Sequence, residues 1–195
     1  SQHGFAALAI IMGVIAVPYF AWIAKVSYIM VDFFQADYLV YSLVYAATSA
    51  VSIVAPYVYI VLSKRMGVRQ LVVLCIALGA LSTALLAAWG ASGPLAFAIA
   101  FVPFALAEGI VRPMAYVVLL DQPQRLVGAA SSFTNFLYNV ITALATVLAT
   151  LPWANYVTRL AVLGACSVAL IVALFLWGVR GASLSFNPES DQERD

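Results

Sequence analysis

Six apolar runs, each long enough to cross a bilayer, take up nearly all of this 195-residue chain and leave little else to fold. They are roughly Phe5 to Val31, Tyr38 to Ser63, Leu71 to Trp89, Leu95 to Leu120, Leu126 to Leu151 and Tyr156 to Val179. A membrane-spanning helix takes about 20 mostly apolar residues. Inside lipid every backbone N–H and C=O must be satisfied by the protein itself, which makes helices the expected element. Short polar or Pro/Gly joints separate the runs at Asp32 to Asp37, Lys64 to Gln70, Gly90 to Pro94, Asp121 to Arg125 and Pro152 to Asn155. So short a remainder predicts an all-α membrane protein, with one six-span domain over residues 1–180 and a polar, disordered tail over 181–195. SQHGF leads straight into a span too long for the apolar core of a signal peptide, so no cleavable leader is expected.

The amino-acid balance narrows the classes further. Hydrophobic residues make up 65% and charged residues 9%, with a mean hydropathy of +1.04, whereas soluble domains carry about 25% charged residues. A net charge of +1, spread among joints, gives no reason to expect a nucleic-acid partner. Cys75 and Cys166 sit in apolar runs without metal-ligand spacing and are expected to pack. Lys64, Arg65, Arg69, Arg125, Arg180 and Arg194 fall on one side of the membrane, with Lys25 and Arg159 on the other. The positive-inside rule then places both termini in the cytoplasm, and Trp89 and Trp153 at run ends suit the interfacial aromatic belt.

Within the fourth run, Glu108 and Arg112 lie near the middle, between Pro103 and Pro113. An ionised side chain there costs from about 3 kcal/mol to several times that. Their spacing of four puts them one turn apart on the same helix face, where each neutralises the other. Such a pair either staples neighbouring helices or borders a watery cavity that holds a substrate or a proton.

Polar residues recur at helical spacing in some runs and not in others. Tyr41, Tyr45, Thr48, Ser52 and Tyr59 form a stripe on the second run, and Ser131, Asn135, Tyr138, Asn139, Thr142, Thr146 and Thr150 form one on the fifth. Trp22, Lys25 and Asp32 share a face of the first, with Pro18 a turn earlier. The third and sixth are almost wholly Leu, Val, Ala and Ile. Polar faces turn away from lipid, so runs one, two, four and five are expected to line an interior that three and six shield. That order reads as a three-plus-three repeat, inverted because each copy has an odd number of spans. Val17-Pro18-Tyr19-Phe20 has its counterpart in Val102-Pro103-Phe104-Ala105.

On these residues the chain resembles one half of a major facilitator superfamily transporter. SKRMGVRQ, Ser63 to Gln70, is similar to the degenerate basic loop between the second and third helices of that family's second half, without the acidic residue of its better-kept form. AVPYFAWIAK, Ala16 to Lys25, and GIVRPMAYVVLLDQPQRLVGAASSF, Gly109 to Phe133, resemble the carboxy-terminal halves of drug/proton antiporters of the MdfA and Bcr/CflA type. The resemblance implies proton-coupled efflux of amphipathic or cationic molecules across a bacterial inner membrane. It also implies a second six-helix half, as a separate chain or a second copy, because such transporters hold substrate between two halves. The start at Ser1 without an initiator Met fits a processed chain or a fragment.

Under that reading Trp22, Tyr45, Tyr138 and the neighbouring Phe136 offer flat polarisable faces to cations and aromatics. Thr48, Ser52, Asn135, Asn139 and Thr142 add hydrogen bonds, and Glu108, Arg112, Lys25 and Asp32 are the charge and proton candidates. Burial favours the neutral acid of Glu108 while Arg112 favours the carboxylate, so Arg112 can act as a switch. No cofactor or metal is expected. The one histidine is His3, outside the spans, and no triad or metal-ligand spacing supports an enzyme. Two alternatives stand: uptake of a sugar or small anion with Lys25 and Arg112 as anion sites, and a non-transporting assembly or regulatory subunit. The small-residue face at Gly128-Ala129-Ala130-Ser131-Ser132 suits the latter.

Overall fold

In the computed structural model, which describes residues 2–120, 124–151 and 155–179, the apolar runs become α1 (Gln2–Ser27), α2 (Tyr38–Ser63), α3 (Val68–Ala88), α4 (Pro94–Leu120), α5 (Gln124–Thr150) and α6 (Tyr156–Leu174). No strand occurs among the described residues. Each of the six helices is long and apolar enough to cross a membrane, which makes this a multi-pass, all-helical membrane protein. Trp153, Arg180, Arg194 and the tail 181–195 lie outside the described residues.

Local chemistry explains several of the helix ends. At the start of α3 the Gly67 N–H donates to Gln70 Oε1 at 3.1 Å. The Asn155 side chain caps α6 by accepting from the backbone N–H groups of Val157 at 2.8 Å and Thr158 at 3.3 Å. Both arrangements satisfy donors that a helix start leaves without an acceptor. The first joint is shorter than the sequence implies. A wider helical turn, Tyr28–Phe33, continues α1 past Val31, and Phe34 N–H bonds back to Ile29 O at 3.0 Å. Gln35 reverses the chain with φ of 52°, steadied by its side-chain amide donating to Asp32 O at 2.8 Å. Pro18, Pro56, Pro103 and Pro113 all sit inside helices that run through them.

The helices pack in two layers. In the front row α2 packs on α4, α4 on α1 and α1 on α5; behind it α3 packs on α4 and α6, and α6 on α1. The two inner front helices carry the core: 61% of the residues in the most apolar stretch of α1 and of α4 are buried, against 17% in α2 and 22% in α5. The sequence pattern expects α3 and α6 to be the outward-facing helices, but α2 and α5 are the least buried members of the chain, while α3 and α6 bury 33% each.

Two apolar clusters fill the bundle along the α1–α4 axis. One uses Ile11, Ile15, Ala107, Ile110 and Met114 with Leu71 and Val72 of α3. The other uses Trp22, Val26, Phe97, Phe101 and Phe104 with Leu160 of α6. Within the second, Ser82 on α3 donates to Ala100 O on α4 at 2.5 Å, so a buried hydroxyl is satisfied across the layers.

Candidate functional site

Glu108 and Arg112 meet as their spacing implies. The Arg112 Nε–H donates to Glu108 Oε1 at 2.5 Å, and this is the only ion pair among the described residues. The carboxylate side chain is 4% exposed and the guanidinium side chain 45%, so the pair reaches from the packed interior of α4 to its open face. Tyr138 on α5 closes the arrangement: its hydroxyl accepts from Arg112 Nη2 and donates to Glu108 Oε1 at 3.3 Å. Three groups from two helices thus form one ring of hydrogen bonds. A charge buried in this way is tolerable because it is both paired and hydrogen-bonded.

An aromatic ladder stands beside the ring on the same front row. Trp22 is sandwiched between Tyr45 at 5.5 Å and Phe101 at 5.1 Å, centroid to centroid, with planes within 12° and 15°. Phe97 and Phe104 extend it along α4, and Tyr19 joins it at 6.4 Å from Phe101. The Tyr19 hydroxyl accepts from Ser52 Oγ at 3.0 Å, which ties α1 to α2. Phe20 meets the edge of Tyr138 at 5.9 Å, so α1 also touches the charged ring.

Trp22 lies 1% exposed inside the ladder, so its faces are already occupied by Tyr45 and Phe101. Tyr45 is the member that reaches the surface. Thr48 is buried and donates to Val44 O at 2.9 Å, within its own helix. On α5 the polar stripe closes largely on itself: Asn139 Nδ2 donates to Asn135 O at 2.8 Å, and Thr142 Oγ1 to Tyr138 O at 2.9 Å. Asn135 Oδ1 also accepts from the Tyr116 hydroxyl of α4 at 3.5 Å. Lys25 stands apart from the ring, its ammonium 4.5 Å from the centre of the Tyr28 ring. Asp32 is exposed at the end of the extended first helix.

Tyr19 and Phe101 did not stand out in the sequence. The signal for Phe101 is the spacing of Phe97, Phe101 and Phe104 on one helix face; for Tyr19 it is only a tyrosine next to Pro18, since its partner Ser52 lies on another helix. Buried Arg159 on α6 donates to Ala149 O of α5 and lies over the Tyr156 ring at 4.9 Å. Among the described residues no three His, Cys, Asp or Glu side chains stand together as a metal site.

No protein-family model, curated protein or solved structure matches the chain. The chemistry of the site therefore rests on its own geometry. A buried carboxylate, a half-exposed guanidinium and a shared phenol can exchange partners, and they can accept a cation or a proton at Glu108 or an anion at Arg112.

Proposed function

We propose that this chain is one six-helix half of a proton-coupled secondary transporter that exports amphipathic or cationic molecules, working with a second half across the front row. The observation that carries this reading is the Glu108–Arg112–Tyr138 ring at mid-span, with the guanidinium side chain 45% exposed on the row formed by α2, α4, α1 and α5. A cation opening onto acyl chains is costly. Water or protein in front of that face removes the cost.

Support for an inverted three-plus-three repeat comes from sequence and packing together. Leu78-Gly79-Ala80, Ser82 and Ala84-Leu85 recur as Leu163-Gly164-Ala165, Ser167 and Ala169-Leu170, at the same separation as Pro18 and Pro103. The packing partners exchange accordingly: α1 lies on α5 as α4 lies on α2, and α1 lies on α6 as α4 lies on α3. A plan of this kind places a substrate near the bilayer midplane, between repeats or halves.

The mechanism follows from competition for one carboxylate. With Glu108 ionised, its charge holds Arg112, and Tyr138 bridges them. A proton or a cationic substrate arriving at Glu108 replaces that interaction and frees the guanidinium to swing toward the open face. Tyr45, at the surface end of the aromatic ladder, and Phe136 supply the flat surfaces for an amphipathic substrate. The reading places the chain in a bacterial inner membrane with both termini cytoplasmic.

The test is flux of a lipophilic cation in vesicles carrying the full assembly, with and without an imposed pH gradient. Glu108→Gln should keep the fold and lose the dependence on the gradient. Coupling that survives in Glu108→Gln removes the carboxylate from the mechanism, and absence of any flux in the wild type points to an assembly role.

A further inference from the structure

Where α2 turns into α3, a cavity of about 530 Å³ opens beneath Val117 of α4, lined by Tyr59, Lys64, Arg65, Val68 and Leu71 among others. Its chemistry is lopsided. Lys64 and Arg65 are exposed at the mouth, and neither belongs to an ion pair among the described residues. Tyr59, in the same lining, is 7% exposed as a residue. No hydrogen bond joins its hydroxyl to another described residue.

The backbone adds donors at the same place. The N-terminus of α3, a helix of 21 residues, follows Gly67; the Gly67 N–H is taken by Gln70 Oε1 and those of Gln70 and Leu71 by Gly67 O, which leaves the first-turn N–H groups of Val68 and Arg69 for a ligand. A side chain on Gly67 would meet nothing within 4 Å, so the approach is open. Val68, Leu71 and Val117 form an apolar wall beside this polar end. Cations, a buried phenol, helix-start N–H groups and an apolar wall together suit a phosphate with a hydrocarbon neighbour.

We infer that this cavity binds a phosphate ester, the chemistry shared by an anionic phospholipid headgroup and a water-soluble glycerophosphate. Lys64 and Arg65 hold the charge, Tyr59 donates to a phosphate oxygen, and the apolar wall takes the glycerol and the first acyl carbons. Its position at the end of two spans is where headgroups lie, so phosphatidylglycerol is the first probe.

Native mass spectrometry of the full chain with phosphatidylglycerol and phosphatidylcholine in equal amounts tests this. The wild type should retain phosphatidylglycerol about 25-fold better, since each of the two cations near a membrane surface contributes about fivefold. The double variant Lys64→Gln/Arg65→Gln should bring the two lipids to near parity, and Tyr59→Phe, which keeps the ring, should lose about two- to threefold. Arg69→Gln, an exposed cation of the same turn outside the cavity lining, should change little. Equal retention of both lipids by the wild type overturns the inference, as does an Arg69→Gln loss equal to that of the double variant. Adding millimolar glycerol 3-phosphate separates the sources: displacement of the lipid marks a site for the headgroup alone, and its persistence makes the apolar wall part of the site.

Discussion

Trp22 of α1 lies flat on Phe101 of α4, ring centres 5.1 Å apart and planes at 15°, at the centre of the second apolar cluster. The stack joins the two most buried helices, and the sandwich with Tyr45 draws in α2. In a bilayer the unfolded helices remain in lipid, so transfer from water adds little and the loss on truncation is mainly packing. Aromatic pairs contribute about 0.5–1.5 kcal/mol each beyond area. Trp22→Ala should therefore cost about 2–3 kcal/mol with the cavity included, and Tyr45→Ala, at the exposed end, about 1 kcal/mol. Thermal unfolding in mild detergent checks the order; a larger loss for Tyr45→Ala would show that the ladder is anchored from its surface end.

The Glu108–Arg112 pair predicts an asymmetry. Arg112→Gln leaves a buried carboxylate with only the Tyr138 hydroxyl as partner, at a cost of about 1–3 kcal/mol. Glu108→Gln leaves a guanidinium that still donates to Tyr138 and reaches the open face, so its cost should be smaller. The double variant should recover part of the Arg112→Gln loss, because the stranded charge is gone. A cycle of unfolding temperatures measures this coupling; additive losses would mean that the two side chains do not interact in the protein.

Much of this arrangement was legible in the sequence. The α2 bounds, Tyr38–Ser63, agree with those read from hydropathy, since an apolar run between charged joints leaves little choice. Spacing of four sufficed for Glu108 and Arg112. It could not supply Tyr138 as their third member, because that contact depends on where α5 lies beside α4. The stripe on α5 was visible as a period, yet the hydroxyls of Thr142 and Thr146 bond back to their own helix. A threonine facing a cavity and one satisfying its own backbone have the same spacing. Lys25 shares a face with Trp22 by count, but its long stem carries the ammonium to Tyr28, a choice among nearby partners that no period encodes.

Close helix packing at Gly164 supplies another prediction. A Cβ there would come within 2.7 Å of Thr83 Oγ1 and 2.8 Å of the Phe104 ring, in the notch where α3, α4 and α6 meet. Phe104 is buried at 1% exposure and has little room to give. Gly164→Ala should thus cost about 1–3 kcal/mol, as overpacking does in well-filled interiors. Gly67→Ala meets nothing within 4 Å and should stay within about 0.5 kcal/mol of the wild type. Unfolding temperatures of the two variants decide the matter; equal values would mean that the α3–α6 crossing is looser than this geometry.

The outer faces of the front row make the last prediction, because they carry large apolar side chains that no described residue covers. Leu43 on α2 is 61% exposed and Phe136 on α5 is 64% exposed. Apolar side chains alone could face lipid, but Asn135 and Asn139 flank Phe136 and are exposed beside it, and polar amides favour protein or water over acyl chains. A second six-helix half laid across this row would cover both kinds of group. In a Cys75→Ala/Cys166→Ala background, Leu43→Cys and Phe136→Cys should cross-link to that half with a short bifunctional reagent in native membranes. Val162→Cys, on α6 in the back layer, should not. Cross-linking of Val162→Cys alone would move the interface to the back layer, and a chain that stays single with all three variants would mean that the front row meets lipid directly.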